Sequence, residues 1–254
     1  MYIDKFFELI KVLEAPYTKI RLGRKSDGGY VVPDEICKDI QNVYSIGISD
    51  DVSFEEEFAE RYKSSVTCFD DSIKELPVHY LDLHFFPIGV GATPRLPMRR
   101  IRREYMKGEH ILLKVDIEGN EWEHIDYYGG YDVMIIELHA LTVEPMSVHK
   151  NSLYFQSLCY LFSIGVMDDL FKKYYEFLSA LLNNYFIFHI HGNNSLPKTM
   201  FFGYKFPPLL ELTLVNRKFK WTNNVITEFP VKELDYPNKT DRPDFESLFP
   251  FKNG

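Results

Sequence analysis

The apolar positions of this chain change period along its length, and those changes divide it into elements. Near the start, Phe6, Leu9, Ile10 and Leu13 recur at helical spacing, which predicts a short amphipathic helix packed on the body of the protein. The turn residues Asp27, Gly28 and Gly29 then precede the apolar Tyr30, Val31 and Val32, so RLGRKSDGGYVVP reads as a hairpin. From residue 42 onward, short apolar runs alternate with longer helical patterns. NVYSIGI (42–48), VTCFD (66–70), LHFFPIGV (83–90), ILLKV (111–115), YDVMIIELHAL (131–141), YFIFHIHGNN (185–194) and LLELTLV (209–215) read as strands. FEEEFAERY, RLPMRRIRREYMK, a short stretch over 120–127 and the aromatic-rich region from 150 to 184 read as helices, the last broken near Gly165. Strands alternating with helices and closing on two consecutive strands predict a three-layer α/β sheet with a final hairpin.

Length and composition fit one domain: 254 residues with 45% hydrophobic positions can bury a sizeable core. Its expected parts are an N-terminal cap over 1–40, an α/β core over 41–227 and a tail over 228–254 rich in Pro and acids. A formal net charge of −8 argues against a general phosphate-backbone binder, so nucleic acid is not the expected partner. Cys37, Cys68 and Cys159 are too few and too scattered for a disulfide framework or a zinc knuckle, which fits a reducing, cytoplasmic setting. The first residues lack the basic start and apolar core of a signal peptide, and no apolar run reaches the roughly 18 residues of a membrane span.

Polar groups at strand ends carry the candidate chemistry. Lys114, Asp116 and Glu118 alternate along ILLKVDIEG and would share one face of an extended strand, a costly placement without partners or a ligand. Gly47 follows the first core strand, as in nucleotide-binding α/β units, and Ser53 with Glu56 has the spacing of a capping box. The acids Asp50 and Asp51 suit a ligand bearing an amino group better than a pyrophosphate. Asp70, or Asp71 in its place, follows Gly47 by about 20 residues, the separation that ribose recognition requires. Gly28 and Gly29 would let the backbone approach a ligand, with Arg21 or Asp27 at its polar groups. His139 lies at the end of one strand, and His189 and His191 share a face of another. Arg95, Arg99, Arg100, Arg102 and Arg103 form a basic stretch that reads as a solvated helix face or a dock for a phosphate-bearing acceptor.

Taken in order, RLGRKSDGGYVV, YSIGISDDVSFEEEF, CFDDS, LLKVDIEGNEW, IIELHAL, HIHGNN, LLELTL and LDYPN resemble the FkbM-like branch of the S-adenosylmethionine-dependent methyltransferases, including its methyltransferase-24-like relatives. The resemblance implies a Rossmann-like class I methyltransferase sheet of about seven strands, the last antiparallel, behind a helical cap. It implies S-adenosylmethionine as cofactor and O-methylation of a sugar hydroxyl, on a nucleotide-linked sugar or a capsular polysaccharide precursor. Cofactor contacts would come from Asp27, Gly28, Gly29, Tyr30, Gly47, Ser49, Asp50, Asp70, Asp71 and Asp116. The usual Asp-x-Gly-x-x-Gly loop is replaced here by SIGISDD, and Asp50 is the candidate for the methionine ammonium. Lys114, Asp116, Glu118, His139 and His191 would surround the reacting groups, with His139 or His191 as the base. Asp116, His139 and His191, with Glu118, could instead hold a divalent cation, Mg or Mn. A homodimer stays open. Rival readings are an NAD-dependent oxidoreductase, disfavoured by the missing G-x-G-x-x-G, a cofactor-binding domain without catalysis, and a metal-dependent hydrolase.

Overall fold

The computed structural model describes residues 1–77, 83–91, 95–139, 153–201 and 204–245. The first half of the chain forms α1 (Tyr2–Leu9), β1 (Val12–Leu13), the hairpin β2 (Lys19–Leu22) and β3 (Tyr30–Pro33), α2 (Asp34–Cys37), β4 (Asn42–Ile46), α3 (Ser53–Tyr62), β5 (Ser65–Phe69), β6 (Leu83–Phe86) and α4 (Met98–Glu104). Then come β7 (Ile111–Val115), two 3₁₀ turns (Glu121–Glu123 and Ile125–Tyr127), β8 (Val133–Leu138), α5 (Leu153–Leu182), β9 (Tyr185–Gly192), a small hairpin of β10 (Thr199–Phe201) and β11 (Tyr204–Phe206), β12 (Leu210–Asn216) and β13 (Val225–Ile226).

The main sheet runs β13-β1-β9-β12-β8-β7-β4-β5-β6. β6, β5, β4, β7 and β8 are parallel, and β12 inserts antiparallel between β8 and β9. These seven strands form the expected Rossmann-like sheet, with the last strand antiparallel. The β1 and β13 strands, too short for a period to register, extend the sheet beyond β9.

Alternation along each strand feeds two cores, one on either face. Leu113, Val115, Met134, Ile136, Leu212 and Leu214 point to the face covered by α1 and α5, where Phe6 meets Phe171 edge to face at 5.6 Å between ring centroids. Leu112, Val133, Ile135, Phe186 and Phe188 point the other way, toward α2, α3 and the β2–β3 hairpin. The hairpin is tied down by Thr213, whose Oγ1 donates to the Val31 carbonyl at 2.6 Å. This second face carries the chemistry. Lys114, Glu137, Glu211, His189 and His191 all lie on it, in register with Ile135, Thr213 and one another.

Several local expectations change. The helix over 153–182 is continuous through Gly165, because a single glycine costs a helix only about 1 kcal/mol and does not end it. The stretch over 120–127 forms 3₁₀ turns in place of an α-helix. Ser53 is the first residue of α3 and not its cap; Val52 holds that position, and Asp51 does the capping by accepting from the Ser53 amide and hydroxyl, each at 3.1 Å. The predicted end of the β8 strand at 140–141 and the tail residues 246–254 lie outside the described residues.

Candidate functional site

Parallel strands end together, and their carboxyl ends open a crevice that the following loops must line. Here β4, β5 and β7 end at Ile46, Phe69 and Val115, and their loops enclose a cavity of about 370 Å³. Asp27, Gly28, Tyr30, Gly47, Ser49, Asp50, Asp70, Asp71, Lys114, Asp116 and Glu118 line it, so most of the residues singled out from sequence converge on one place. Asp51 of the acid pair and Arg95 of the basic stretch line it too, as do Arg24 and Ser72, which no sequence pattern marked.

Each loop is fixed by backbone chemistry. Gly47 has φ +79°, and a Cβ there would stand 1.6 Å from the Asp116 carbonyl oxygen, so only glycine lets β4 and β7 exit side by side. Asp70 accepts from the amides of Ile48 (2.9 Å), Ser49 (2.8 Å) and Ser72 (2.7 Å) and from the Ser72 hydroxyl (2.6 Å). Those four bonds fill the acceptor capacity of its carboxylate. Burial pushes its pKa up, but the hydrogen bonds outweigh that and hold it below the usual range. Asp70 therefore organises the cavity floor, and Asp71 is the acid with capacity to spare, paired at the rim with Arg95 at 2.9 Å.

Lys114 is 4% exposed at the base of the cavity, and its Nζ lies 3.2 Å from Glu55, 3.1 Å from the Gly47 carbonyl and 5.3 Å from the Tyr30 ring centre. Glu55 in turn accepts from the Ser45 hydroxyl. This buried chain braces the glycine turn from below. The predicted shared face of Lys114, Asp116 and Glu118 does not hold as a strand face, because β7 ends at Val115 and Glu118 turns through φ +56° into solvent. Gly29 does not line the cavity; it serves the hairpin, where a Cβ would meet the Arg24 carbonyl at 2.0 Å.

At the edge of the cavity, Glu121 takes a role that sequence reasoning missed. Fully buried, it accepts from the amides of Ile117 (2.8 Å) and Gly119 (2.9 Å) and meets His139 Nδ1 at 3.0 Å. The Glu-Gly-Asn-Glu spacing was the available signal, since an acid two residues after a turn glycine can close that turn on itself. His139 Nε2 lies 3.7 Å from Asp116 and 3.4 Å from Glu118. Burial lowers the His139 pKa, but Glu121, Asp116 and Glu118 outweigh it and raise it to about 9. A pKa near 9 disfavours the neutral imidazole that its expected part as a base requires. Burial raises Asp116 to about 6 against the opposing pull of Lys114 and His139, and its Oδ1 is buried without a hydrogen-bond partner.

His191 is elsewhere. Its Nδ1 meets Glu211 at 3.0 Å and its Nε2 meets Asp244 at 3.1 Å, so both ring nitrogens are committed away from Asp116 and His139. The expected cation site of Asp116, His139 and His191 is not assembled. Among the described residues, Asp116, Glu118 and His139 place one donor atom each within 4.8 Å of one another. No helix among the described residues is long and apolar enough to cross a membrane.

No family model and no curated protein matches the sequence. Among solved structures, the chain is similar to the fibrillarin pre-rRNA processing protein of Methanococcus jannaschii, at 13% identity and a TM-score of 0.39 over 72% of this chain and 69% of that one.

Proposed function

We propose that the chain is an S-adenosylmethionine-dependent O-methyltransferase acting on a sugar hydroxyl, on a nucleotide-linked sugar or a surface-polysaccharide precursor. The observation that carries this reading is the charge of the cavity at the carboxyl ends of β4, β5 and β7. Seven carboxylates line it (Asp27, Asp50, Asp51, Asp70, Asp71, Asp116 and Glu118) against three cations (Arg24, Arg95 and Lys114). A dinucleotide's pyrophosphate wants bare amides and positive potential, whereas a sulfonium that also bears an ammonium gains from such a wall. The ordered segments that resemble FkbM-like enzymes support the sugar acceptor.

The cofactor fits the residues present. Asp50, exposed at the mouth, suits the ammonium, and Asp71 suits the ribose hydroxyls in place of the saturated Asp70. When bound, the cofactor supplies an already activated methyl group, so the protein's task is alignment and removal of one proton. Asp116 takes that proton from the acceptor hydroxyl: its carboxyl lines the cavity and has a pKa near 6, ionised at neutral pH yet basic enough to accept. His139, held by Glu121, stays protonated and keeps Asp116 charged until then. Lys114 positions the Gly47 turn.

A second reading is favoured by the grouping of Asp116, Glu118 and His139, which could hold a divalent cation, Mg or Mn, beside the acceptor oxygen. Two oxygens and one nitrogen suit Mn better than Mg, which prefers oxygen ligands.

Thermal melts with S-adenosylmethionine, S-adenosylhomocysteine and NAD test the assignment. A ligand at about 100 times its Kd adds about 2.7 kcal/mol of stability. Stabilisation by the adenosyl compounds and not by NAD is expected, and no shift with either adenosyl compound would sink the reading. A further shift with Mn²⁺ that EDTA abolishes would support the second.

A further inference from the structure

The face of the sheet that carries Lys114 holds a second polar system, beyond the cavity and unused by the mechanism above. Strand register sets Glu137 opposite Glu211 and Glu211 opposite His191, while Asp116 and Glu137 each follow the paired residues Val115 and Ile136. A row of four ionisable side chains thus runs along the edge of the sheet formed by the carboxyl ends of β7, β8 and β9 and the amino end of β12. The next row inward on the same face is mixed: Lys114, Ile135, Thr213 and His189 stand in register, with His189 Nε2 meeting Asp235 at 2.8 Å. Glu137, Glu211 and His191 are 3%, 6% and 2% exposed.

Three neighbouring carboxyls in a buried row repel one another and resist desolvation, and stability alone would favour apolar residues there. Histidines and amides engage them: His139 Nε2 lies 3.7 Å from Asp116 and His191 Nδ1 lies 3.0 Å from Glu211. Asn193 donates to Glu137 at 2.7 Å, and Asn238 of the tail donates to Glu211 at 2.6 Å and to Asp27 at 3.1 Å. Asp244, also of the tail, meets His191 Nε2 at 3.1 Å. Two acceptors are left over: the Oδ1 atoms of Asn238, itself 5% exposed, and of Asp116 are buried with no hydrogen-bond partner. Orphaned acceptors of this kind are rare in a purely structural network. Asp116 belongs both to the cavity wall and to this row, and Asp27 of the wall shares the Asn238 amide with Glu211, so the two are continuous.

We propose that the row Asp116, Glu137, Glu211 and His191 is the binding furrow for the acceptor, roofed by the tail and shaped for a ligand with several adjacent hydroxyls, that is, a sugar ring. The inference rests on the methyltransferase reading and adds the residues that choose its substrate. A hydroxyl can donate to a carboxyl oxygen of Glu137 or Glu211 and accept from an Asn193 amide or a His191 ring N–H, so alternating carboxyls and donors match neighbouring hydroxyls in number and sense. A phosphate would be repelled from the row and would have to stay outside it. The Asn238 amide and the Asp244 carboxylate hold the places that hydroxyls would take, so acceptor binding lifts the tail from His191.

The test uses the full chain saturated with S-adenosylhomocysteine and a panel of free hexoses, pentoses and UDP-hexoses. Hydrogen exchange is expected to slow in β8, β9 and β12 and to change over 229–245 with at least one sugar. Methylation of that sugar by E137Q and E211Q is expected to show a roughly tenfold or larger rise in acceptor KM, with S-adenosylhomocysteine affinity within about twofold of the parent; E137Q should melt close to the parent and E211Q lower, because E211Q removes a partner of His191. Unchanged acceptor KM in both variants, protection confined to another surface, or no protection by any sugar while S-adenosylhomocysteine binds would overturn the furrow and leave the methyltransferase reading standing. Failure of the parent protein to bind S-adenosylhomocysteine would overturn that reading and the furrow with it.

Discussion

The two halves of the sheet's carboxyl edge handle charge in opposite ways. Behind β4, β5 and β7, carboxylates face an open cavity and several keep spare acceptor capacity, as Asp50, Asp71 and Asp116 do. Along β8, β12 and β9, the carboxyls of Glu137 and Glu211 are buried under the tail and engaged by amides and a histidine. The two histidines make the contrast plain. His139, beside the cavity, is held by Glu121 on one nitrogen and faces Asp116 and Glu118 with the other, whereas His191 has both nitrogens closed by Glu211 and Asp244. Residue type and strand-end position are the same in the two halves. What separates a poised site from a closed network is whether a neighbouring segment covers it.

The largest effect expected is on the brace beneath the cavity. Lys114→Met strands Glu55, which is 1% exposed, and should cost about 3–5 kcal/mol in denaturant unfolding. Adding Glu55→Gln should recover most of that loss; a single-variant cost below ~1 kcal/mol would mean that the pair is not what holds the Gly47 turn. On the chemistry, Asp116→Asn should lower kcat by about 10²–10⁴ with cofactor affinity nearly unchanged. The kcat of the parent should also fall as pH drops through about 6, and a flat profile there would move the base elsewhere.

The covered half should show itself in pH-dependent stability. Asp244 and Glu211 raise the folded-state pKa of His191 to about 10 despite burial, so its stabilisation is complete below the unfolded value near 6.5. It is lost as pH rises from there through about 10. His139 behaves likewise up to about 9. The stability measured by urea unfolding at intervals from pH 6 to 10 should therefore fall by a few kcal/mol, since each tenfold difference between the folded and unfolded proton affinities is worth about 1.4 kcal/mol. His191→Gln should flatten more of that slope than His139→Gln. Equal flattening would mean that coverage by the tail adds nothing to the His191 pair. The smallest effect belongs to the open rim: Asp50→Asn should change stability by under ~0.5 kcal/mol while weakening S-adenosylmethionine binding by roughly tenfold at low salt, measured by calorimetry.

Much of this was legible in the residues. The short apolar runs located the seven core strands, and DGG located the hairpin turn, because burial of a strand and the chemistry of a turn are both written locally. The cavity residues were legible as polar groups at strand ends, since parallel strands must present their ends together. Glu121, Glu55 and the capping role of Asp51 were not, because their partners are set by local turn geometry or by strands distant in sequence. The wrong pairing of His191 with Asp116 has the same origin: both sit at strand ends, but β8 and β12 stand between their strands.

By itself, then, the sequence determined the elements, their alternation and the acids at the carboxyl edge, because hydrophobic period and turn chemistry are properties of neighbours along the chain. Tertiary structure decided which acids stay open and which are sealed, which histidine is poised and which is closed, and that Lys114 is a brace. Those outcomes depend on strand order, on the tail folding back over β9 and β12, and on the partners that burial brings within hydrogen-bond reach. None of these is a local property of the chain.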